Sequence, residues 1–212
     1  MTMKLKVCGM KYRPNIEMIL GLEPDFLGFI FFEKSPRNVG DSIRPEFVRF
    51  INSVKKVGVF VNATQSFIEE KAYDFGLDMV QLHGNESPEM CDSLRKTGLE
   101  VIKVFSVGEE MDFSRLNPYE SVVDYFLFDT RGKNPGGNGV TFDWEMLAEY
   151  TLSVPFFLSG GIGIEELPLL AQFSHPQLYA LDVNSRFEVQ PGEKDVKKVK
   201  LLKEELSTSM FN

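Results

Sequence analysis

Eight short apolar runs recur along the 212 residues of the chain, and segments with helical character separate them. Several runs are apolar at successive positions, which is typical of strands covered on both faces, as in a parallel sheet. Eight strand–helix units in one chain of this length predict an α/β protein, a (β/α)8 TIM barrel, with an open doubly wound sheet as the structural alternative. The predicted strands are 5–8, 27–31, 57–61, 79–82, 101–105, 125–128, 156–158 and 178–181.

Helix boundary signals lie between these runs. Ser87 and the proline after it predict a helix start, and Gly98 lies where that helix would end. Ser66 with Glu69 predicts a capping box for another helix, which Gly76 would close. Near the C-terminus an apolar stripe at helical spacing predicts a helix with one buried face: Val196, Val199, Leu202 and Leu206.

Composition limits the partners and the compartment. With 23 Lys and Arg against 31 Asp and Glu, the net charge is −8, and nucleic-acid binding would need a concentrated basic surface, so we expect no nucleic-acid partner. The longest apolar stretch is far shorter than a membrane span, and the first strand begins too early to leave room for a secretory signal. Cys8 and Cys91 form no disulfide framework. We therefore predict a cytoplasmic protein with no membrane partner. No linker splits the chain, so we expect one domain over residues 1–212, and we expect a monomer or weak homodimer.

Small and polar residues follow the predicted strands. Because the active site of a (β/α)8 barrel lies at the C-terminal ends of its strands, these residues are candidates for function. They include a thiol, a guanidinium, an imidazole, carboxylates and a glycine pair. The candidates are Cys8, Arg37, His83, Asp129, Gly160, Gly161, Asp182, Asn184 and Ser185.

The segment FLSGGIG, residues 157–163, predicts a phosphate site. Adjacent glycines let backbone N–H groups approach an anion, and the loops after the seventh and eighth strands of such barrels usually bind phosphate. A tight turn alone would also explain the two glycines, but the Asn184-Ser185 turn after the next strand favours phosphate. The segment after Asp129 predicts a mobile lid, with an ordinary flexible connection as the alternative, because it holds Gly132, Gly136, Gly137 and Gly139. Beyond this segment, Asp143 is predicted to cap a helix that carries Trp144 and Leu147.

Three further side chains have more than one interpretation. Arg37 has a fork of donors suited to a carboxylate, although an isolated surface arginine is the default. His83 is either a proton carrier or a hydrogen-bonded structural residue, and Asp182 either orients backbone donors or caps its strand. Because the chain has only two histidines and no companion cysteine spacing, we expect no metal and no cofactor.

Six segments together resemble the phosphoribosylanthranilate isomerase family: KVCGM, VGVFVN, VQLHG, FDT…GGNGVTFDW, LSGGI and LDVNSRFEVQPGEKD. The resemblance extends from Lys4 to about Lys200. It implies a (β/α)8 barrel that rearranges N-(5-phosphoribosyl)anthranilate, a small phosphosugar, to 1-(2-carboxyphenylamino)-1-deoxyribulose 5-phosphate in tryptophan synthesis. It implies Cys8 as general base, Asp129 as general acid, Arg37 on the anthranilate carboxylate, and Gly160, Gly161, Asn184 and Ser185 on the phosphate; His83 and Asp182 join them as candidate substrate-binding residues.

The implied chemistry sets expectations for ionisation and for one substitution. A carboxyl has an ordinary pKa of about 4 and a thiol about 8.5, so burial or loop closure should raise the pKa of Asp129, and the surroundings of Cys8 should favour its thiolate. Arg186 stands where the family usually has glycine, which loses backbone freedom at the phosphate site. Another phosphate-binding barrel, such as an epimerase or lyase, and a non-catalytic phosphosugar-binding protein are the alternatives.

Overall fold

The protein, described by a computed structural model over residues 3–108, 111–130 and 144–207, is a closed barrel of eight parallel strands in sequence order. The barrel predicted from the sequence is confirmed, and the open sheet is excluded. The strands are β1 (Lys4–Val7), β2 (Phe26–Ile30), β3 (Lys55–Phe60), β4 (Met79–Leu82), β5 (Glu100–Val107), β6 (Tyr125–Thr130), β7 (Phe156–Ser159) and β8 (Leu178–Val183).

Helices cover the outside of the barrel, and a small hairpin follows its last strand. The α-helices are α1 (Arg13–Leu20), α2 (Pro45–Arg49), α3 (Gln65–Phe75), α4 (Pro88–Lys96), α5 (Leu167–Leu170) and α6 (Val196–Leu206). Short 3-10 helices form at Phe113–Tyr119, Trp144–Glu149, Ile164–Glu166 and Ser185–Phe187. The hairpin pairs β9 (Glu188–Gln190) with β10 (Glu193–Lys194) in antiparallel register. None of the helices in the described ranges has the length and apolarity that crossing a membrane requires.

Local signals place most helix ends correctly. Ser87 caps α4 by accepting a hydrogen bond from the Met90 N–H, as predicted. The cap of α3 differs from the prediction, because Thr64, not Ser66, has extended backbone and accepts the Phe67 N–H. Gly76 ends α3 with a left-handed φ of 58°, which glycine adopts without strain.

The side chains of β1 alternate between two environments, as the period of a strand requires. Leu5 and Val7 pack in the large apolar cluster that also contains helix residues such as Ile16. The buried Lys6 instead bonds to side chains on β4 and β8, so it points into the barrel. A second cluster of apolar side chains also packs inside the barrel: Phe26, Val57, Met79, Ile102, Val104, Leu127, Phe157 and Ala180.

Candidate active site

A cavity of about 200 Å³ lies at the C-terminal ends of the barrel strands. Every predicted site residue except Arg37 lines it, together with Gln81, Ser159 and Arg186. A larger groove of about 980 Å³ runs along α2 beside Phe47 and Phe50, but no residue at a strand end contributes to it. The smaller cavity is therefore the candidate active site.

Cys8 follows β1 and is held tightly. Its backbone N–H donates to the Val183 carbonyl at 2.9 Å, which extends the β1–β8 ladder by one residue. The side chain packs with Ile30 and Val59 and is 3% exposed. A Cβ on Gly28 would lie 2.7 Å from the Cys8 Sγ, so the glycine provides the space that the thiol occupies.

The ionisation of Cys8 differs from the sequence-based expectation. Burial raises the pKa of the thiol, and it outweighs the ammonium groups of Lys6 and Lys194, which lower it. The nearby Asp182 carboxylate adds to the increase. This direction is opposite to the expectation that the surroundings favour the thiolate, because a buried charge on the sulfur loses its hydration.

Lys6 and Asp182 form an ion pair inside the barrel, next to Cys8. The Lys6 Nζ lies 2.9 Å from the Asp182 Oδ1, and their side chains are 0% and 4% exposed. Burial lowers the pKa of Lys6, but the Asp182 carboxylate and Cys8 outweigh it and raise the pKa above its ordinary value. Burial also raises the pKa of Asp182, which the Lys6 ammonium offsets only in part. We interpret the pair as ionised, because its N–O distance of 2.9 Å lies in the range of charge-assisted hydrogen bonds.

Asp129 lies on β6 and reaches the same cavity as Cys8. In the strand register it stands beside Ser159 on β7, and the strands that separate it from β1 are β7 and β8. Its Oδ2 lies 3.5 Å from the His83 Nε2, with both side chains partly exposed to the cavity. The other ring nitrogen of His83 lies 3.3 Å from the Gln81 Nε2. The structure thus brings a thiol, a carboxyl and an imidazole to one small opening.

The predicted phosphate loop has the required backbone shape. Gly160 and Gly161 have φ values of 93° and 68°, a region that other residues rarely adopt. Arg186 does not have a positive φ. The arginine at the position where the resemblance predicts glycine therefore causes no backbone strain. Its guanidinium lies 3.0 Å from carboxylate oxygens of Glu165 and Glu166. The helix after the glycines begins as a single 3-10 turn at Ile164–Glu166.

Arg37 lies beside the cavity without lining it. Its Nε and Nη2 donate to the Glu188 carboxylate at 2.6–2.9 Å, and its stem packs on Gly9, where an added Cβ would lie 3.0 Å from the Arg37 Cδ. Lys194 donates to the same carboxylate at 2.6 Å and to the Asn184 Oδ1 at 2.7 Å. Although burial raises the pKa of Glu188, Arg37 and Lys194 outweigh it and hold that pKa below its ordinary value.

Four buried or nearly buried polar residues of this site were not predicted from the sequence. Lys6 and Gln81 interrupt apolar strands, which is a signal that they face the barrel interior rather than the helices. Glu188 and Lys194 belong to the hairpin after β8, and no local pattern indicates that they meet Arg37. The predicted lid over Gly132, Gly136, Gly137 and Gly139 and the predicted cap at Asp143 lie outside the described residues. Within the described ranges, no cluster of three or more His, Cys, Asp or Glu side chains could hold a metal ion.

Residues 5–205 match the family described as N-(5'-phosphoribosyl)anthranilate (PRA) isomerase. An N-(5'-phosphoribosyl)anthranilate isomerase from Parabacteroides distasonis is 46% identical over 200 residues, which cover 93% of this chain and 90% of the relative. Phosphoribosyl anthranilate isomerase from Thermotoga maritima has a similar structure, with a TM-score of 0.83, 32% identity and coverage of 96% and 98% of the two chains. A solved phosphoribosyl anthranilate isomerase in complex with reduced 1-(o-carboxyphenylamino)-1-deoxyribulose 5-phosphate has a TM-score of 0.80, 30% identity and the same coverage.

Proposed function

The chain belongs to the phosphoribosylanthranilate isomerase family, and from this membership we propose which of its residues carry out the reaction. The enzyme catalyses the Amadori rearrangement of N-(5-phospho-β-D-ribosyl)anthranilate to 1-(2-carboxyphenylamino)-1-deoxy-D-ribulose 5-phosphate in tryptophan synthesis. One observation carries the assignment of roles: Cys8 and Asp129, from strands on different parts of the ring, line the same small cavity.

Asp129 is the general acid. It donates a proton to the furanose ring oxygen as the bond between that oxygen and C1 breaks, and the anthranilate nitrogen supplies the electron pair that forms the iminium. The carboxyl group therefore has to be protonated when substrate binds. His83, 3.5 Å away through its Nε2, contacts the carboxyl group on the cavity side.

Cys8 is the general base. It removes the proton from C2 of the iminium, and the electron pair of that C–H bond neutralises the nitrogen to give the enolamine, which tautomerises to the ketone. Burial raises the pKa of the thiol, so the free enzyme holds little thiolate. The ammonium groups of Lys6 and Lys194 lower that pKa and so increase the fraction of thiolate, which is the form that accepts the C2 proton.

The two anionic ends of the substrate are held on opposite sides of these groups. Backbone N–H groups at Gly160 and Gly161 and the turn at Asn184 and Ser185 bind the phosphate. Arg37 binds the anthranilate carboxylate through Nη1, because Glu188 already occupies its Nε and Nη2. Holding both ends fixes C1 and C2 of the sugar between acid and base, which is the main benefit of positioning.

The remaining parts of the proposal concern the whole chain. Residues 1–212 form one catalytic domain that works in the cytoplasm as a monomer or weak homodimer. The site needs no cofactor, since both steps are proton transfers. Asp182 contacts the sugar from the cavity wall and keeps Lys6 charged.

The test is a steady-state assay that follows the fluorescence decay of freshly made phosphoribosylanthranilate in the presence of a metal chelator. Cys8→Ala and Asp129→Asn should each lower kcat by about 100- to 10,000-fold, the usual contribution of a general acid or base, while far-UV circular dichroism remains that of the wild type. Cys91→Ala is the matched control, since Cys91 is the second buried thiol and lies on α4. It should keep wild-type turnover.

Two outcomes would overturn the proposal. If either Cys8→Ala or Asp129→Asn keeps near-wild-type kcat, the acid–base pair is wrong. If the wild-type protein binds the reduced product analogue and does not convert authentic substrate, the non-catalytic alternative is correct.

A further inference from the structure

We propose that Lys6 and Gln81 are positioning residues that fix His83 as the tautomer protonated on Nε2, so that this N–H donates to the Asp129 carboxyl group. The chain of contacts runs Asp182, Lys6, Gln81, His83, Asp129, through the barrel interior and into the cavity. Only its kinetic consequence rests on the proposed role of Asp129 as the general acid.

The first link decides which way the Gln81 amide points. The Lys6 Nζ lies 2.7 Å from the Gln81 Oε1, and both side chains are buried. An ammonium group has donors and no acceptor, so the atom facing it must be the amide oxygen. The reversed amide would place an NH2 group, which is also a donor, against the ammonium of a buried lysine. Lys6 thus fixes the orientation of Gln81, and its pair with Asp182 at 2.9 Å holds Lys6 in place.

The second link decides the tautomer. With its oxygen on Lys6, Gln81 presents Nε2 to the His83 Nδ1 at 3.3 Å. An amide nitrogen donates and does not accept, so the His83 Nδ1 must accept and carry no proton. A neutral imidazole then has its single proton on Nε2. That atom is the one that lies 3.5 Å from the Asp129 Oδ2.

The third link relates the tautomer of His83 to proton transfer by the Asp129 carboxyl group. The distance of 3.5 Å is long for a hydrogen bond, and such contacts at active sites commonly shorten when substrate binds. A neutral donor on Oδ2 orients the carboxyl group relative to the ring oxygen of the sugar. It also stabilises the carboxylate left after proton transfer. Loss of one hydrogen bond to a charged group lowers a rate by roughly 10- to 100-fold.

The tautomer can be observed directly, because the chain has only two histidines, His83 and His175. Protein labelled with ¹⁵N-histidine is recorded by long-range ¹H–¹⁵N correlation at about pH 8, which is above the ordinary imidazole pKa of about 6.5. His175→Gln assigns the two rings and should leave turnover unchanged. The expected wild-type spectrum has the His83 Nε2 protonated and the His83 Nδ1 unprotonated. A proton on Nδ1 in the wild type would overturn the proposal.

Gln81→Glu is the decisive variant because it keeps the shape and replaces the amide donor with an acceptor. We expect a proton on the His83 Nδ1 in this variant, and a fall in kcat of about 10- to 100-fold with KM within a few-fold of wild type. An unprotonated Nδ1 in Gln81→Glu would contradict the assignment of Gln81. Circular dichroism of the variant verifies folding.

Two substitutions of His83 separate positioning from a structural role. The amide nitrogen of Gln in His83→Gln reaches the place of Nε2, whereas that of Asn in His83→Asn reaches only the place of Nδ1. We expect His83→Gln to keep a kcat within about tenfold of the wild type, and we expect a larger loss of kcat in His83→Asn. Equal losses in the two variants would contradict the proposal. If instead Asp129→Asn keeps its turnover, the proposed function fails while the tautomer measured for His83 stands.

Discussion

Replacing Lys6 by methionine would break the ion pair inside the barrel with little change in side-chain length. Lys6 lies 2.9 Å from the Asp182 carboxylate at 0% and 4% exposure, so the substitution leaves a nearly buried carboxylate without its cation. Breaking a buried pair in this way costs about 3–5 kcal/mol of unfolding free energy. The double variant Lys6→Met/Asp182→Leu removes both charges and should recover most of the loss, since an apolar pair of similar volume is often as stable as the ion pair.

The magnitude translates into a measurable change in melting temperature. Unfolding entropy of about 2.1 cal/mol/K per residue gives about 0.45 kcal/mol/K for 212 residues. A loss of about 4 kcal/mol then lowers Tm by about 9 °C, and urea unfolding followed by circular dichroism gives the free energies directly. A single variant that loses less than about 1 kcal/mol, or a double variant no more stable than the single one, would refute the view that the charges depend on each other.

The pH dependence of the same variant has a definite sign. Burial raises the pKa of Asp182 in the folded protein, and removing the Lys6 ammonium takes away the charge that offsets it. A carboxyl whose pKa is raised on folding binds a proton more tightly in the folded state, so stability falls as pH rises from the unfolded value of about 4 through the folded one. The loss of unfolding free energy in Lys6→Met should therefore become smaller as pH falls toward about 4. A loss that is independent of pH would contradict this account of Asp182.

Three further changes test other parts of the structure. Glu188→Gln removes the carboxylate that orients Arg37, so KM should rise about tenfold with a smaller change in kcat, and an unchanged KM in steady-state assays would count against that orientation. Burial raises the pKa of Cys91 to about 12, so intact-mass measurement after treatment with iodoacetamide at mildly alkaline pH should show this thiol unmodified in the folded protein and modified after unfolding. Gly76→Ala places a Cβ at a φ of 58°, which should lower the free energy of unfolding in urea by about 1 kcal/mol, whereas an unchanged midpoint would contradict the cap geometry.

The fold could be predicted from the sequence because each strand is a short apolar run buried on both faces. The predicted bounds differ from those observed by one or two residues at most strand ends, and β4 agrees at both ends. Helix caps were harder to assign. Thr64 and Ser66 are both residues that cap helices well, and the choice between them depends on where the chain turns after β3.

The site could be predicted where a chemical group lies at or next to the C-terminal end of a strand. Cys8, His83 and the glycine pair follow strands, Asp129 lies near the end of β6, and all of them line the cavity. Lys6 lies inside a strand, and its partner Asp182 is 176 residues away in the sequence. Such contacts follow from ring closure of the barrel, which brings together β1 and β8, the strands farthest apart in the chain.

The hairpin after β8 constrains the length of the ligand that we propose for this site. Glu188 accepts hydrogen bonds from Arg37, and Lys194 links that carboxylate to Asn184, so in the binding mode proposed above this one element sets the spacing between the carboxylate site and the phosphate site. Asn15 on α1 makes two hydrogen bonds with the Lys194 backbone, at 2.8 and 2.9 Å, and these bonds hold the hairpin in place against α1. A sugar phosphate whose second acidic group lay nearer to the phosphate, or farther from it, would contact only one of the two proposed anion sites at a time.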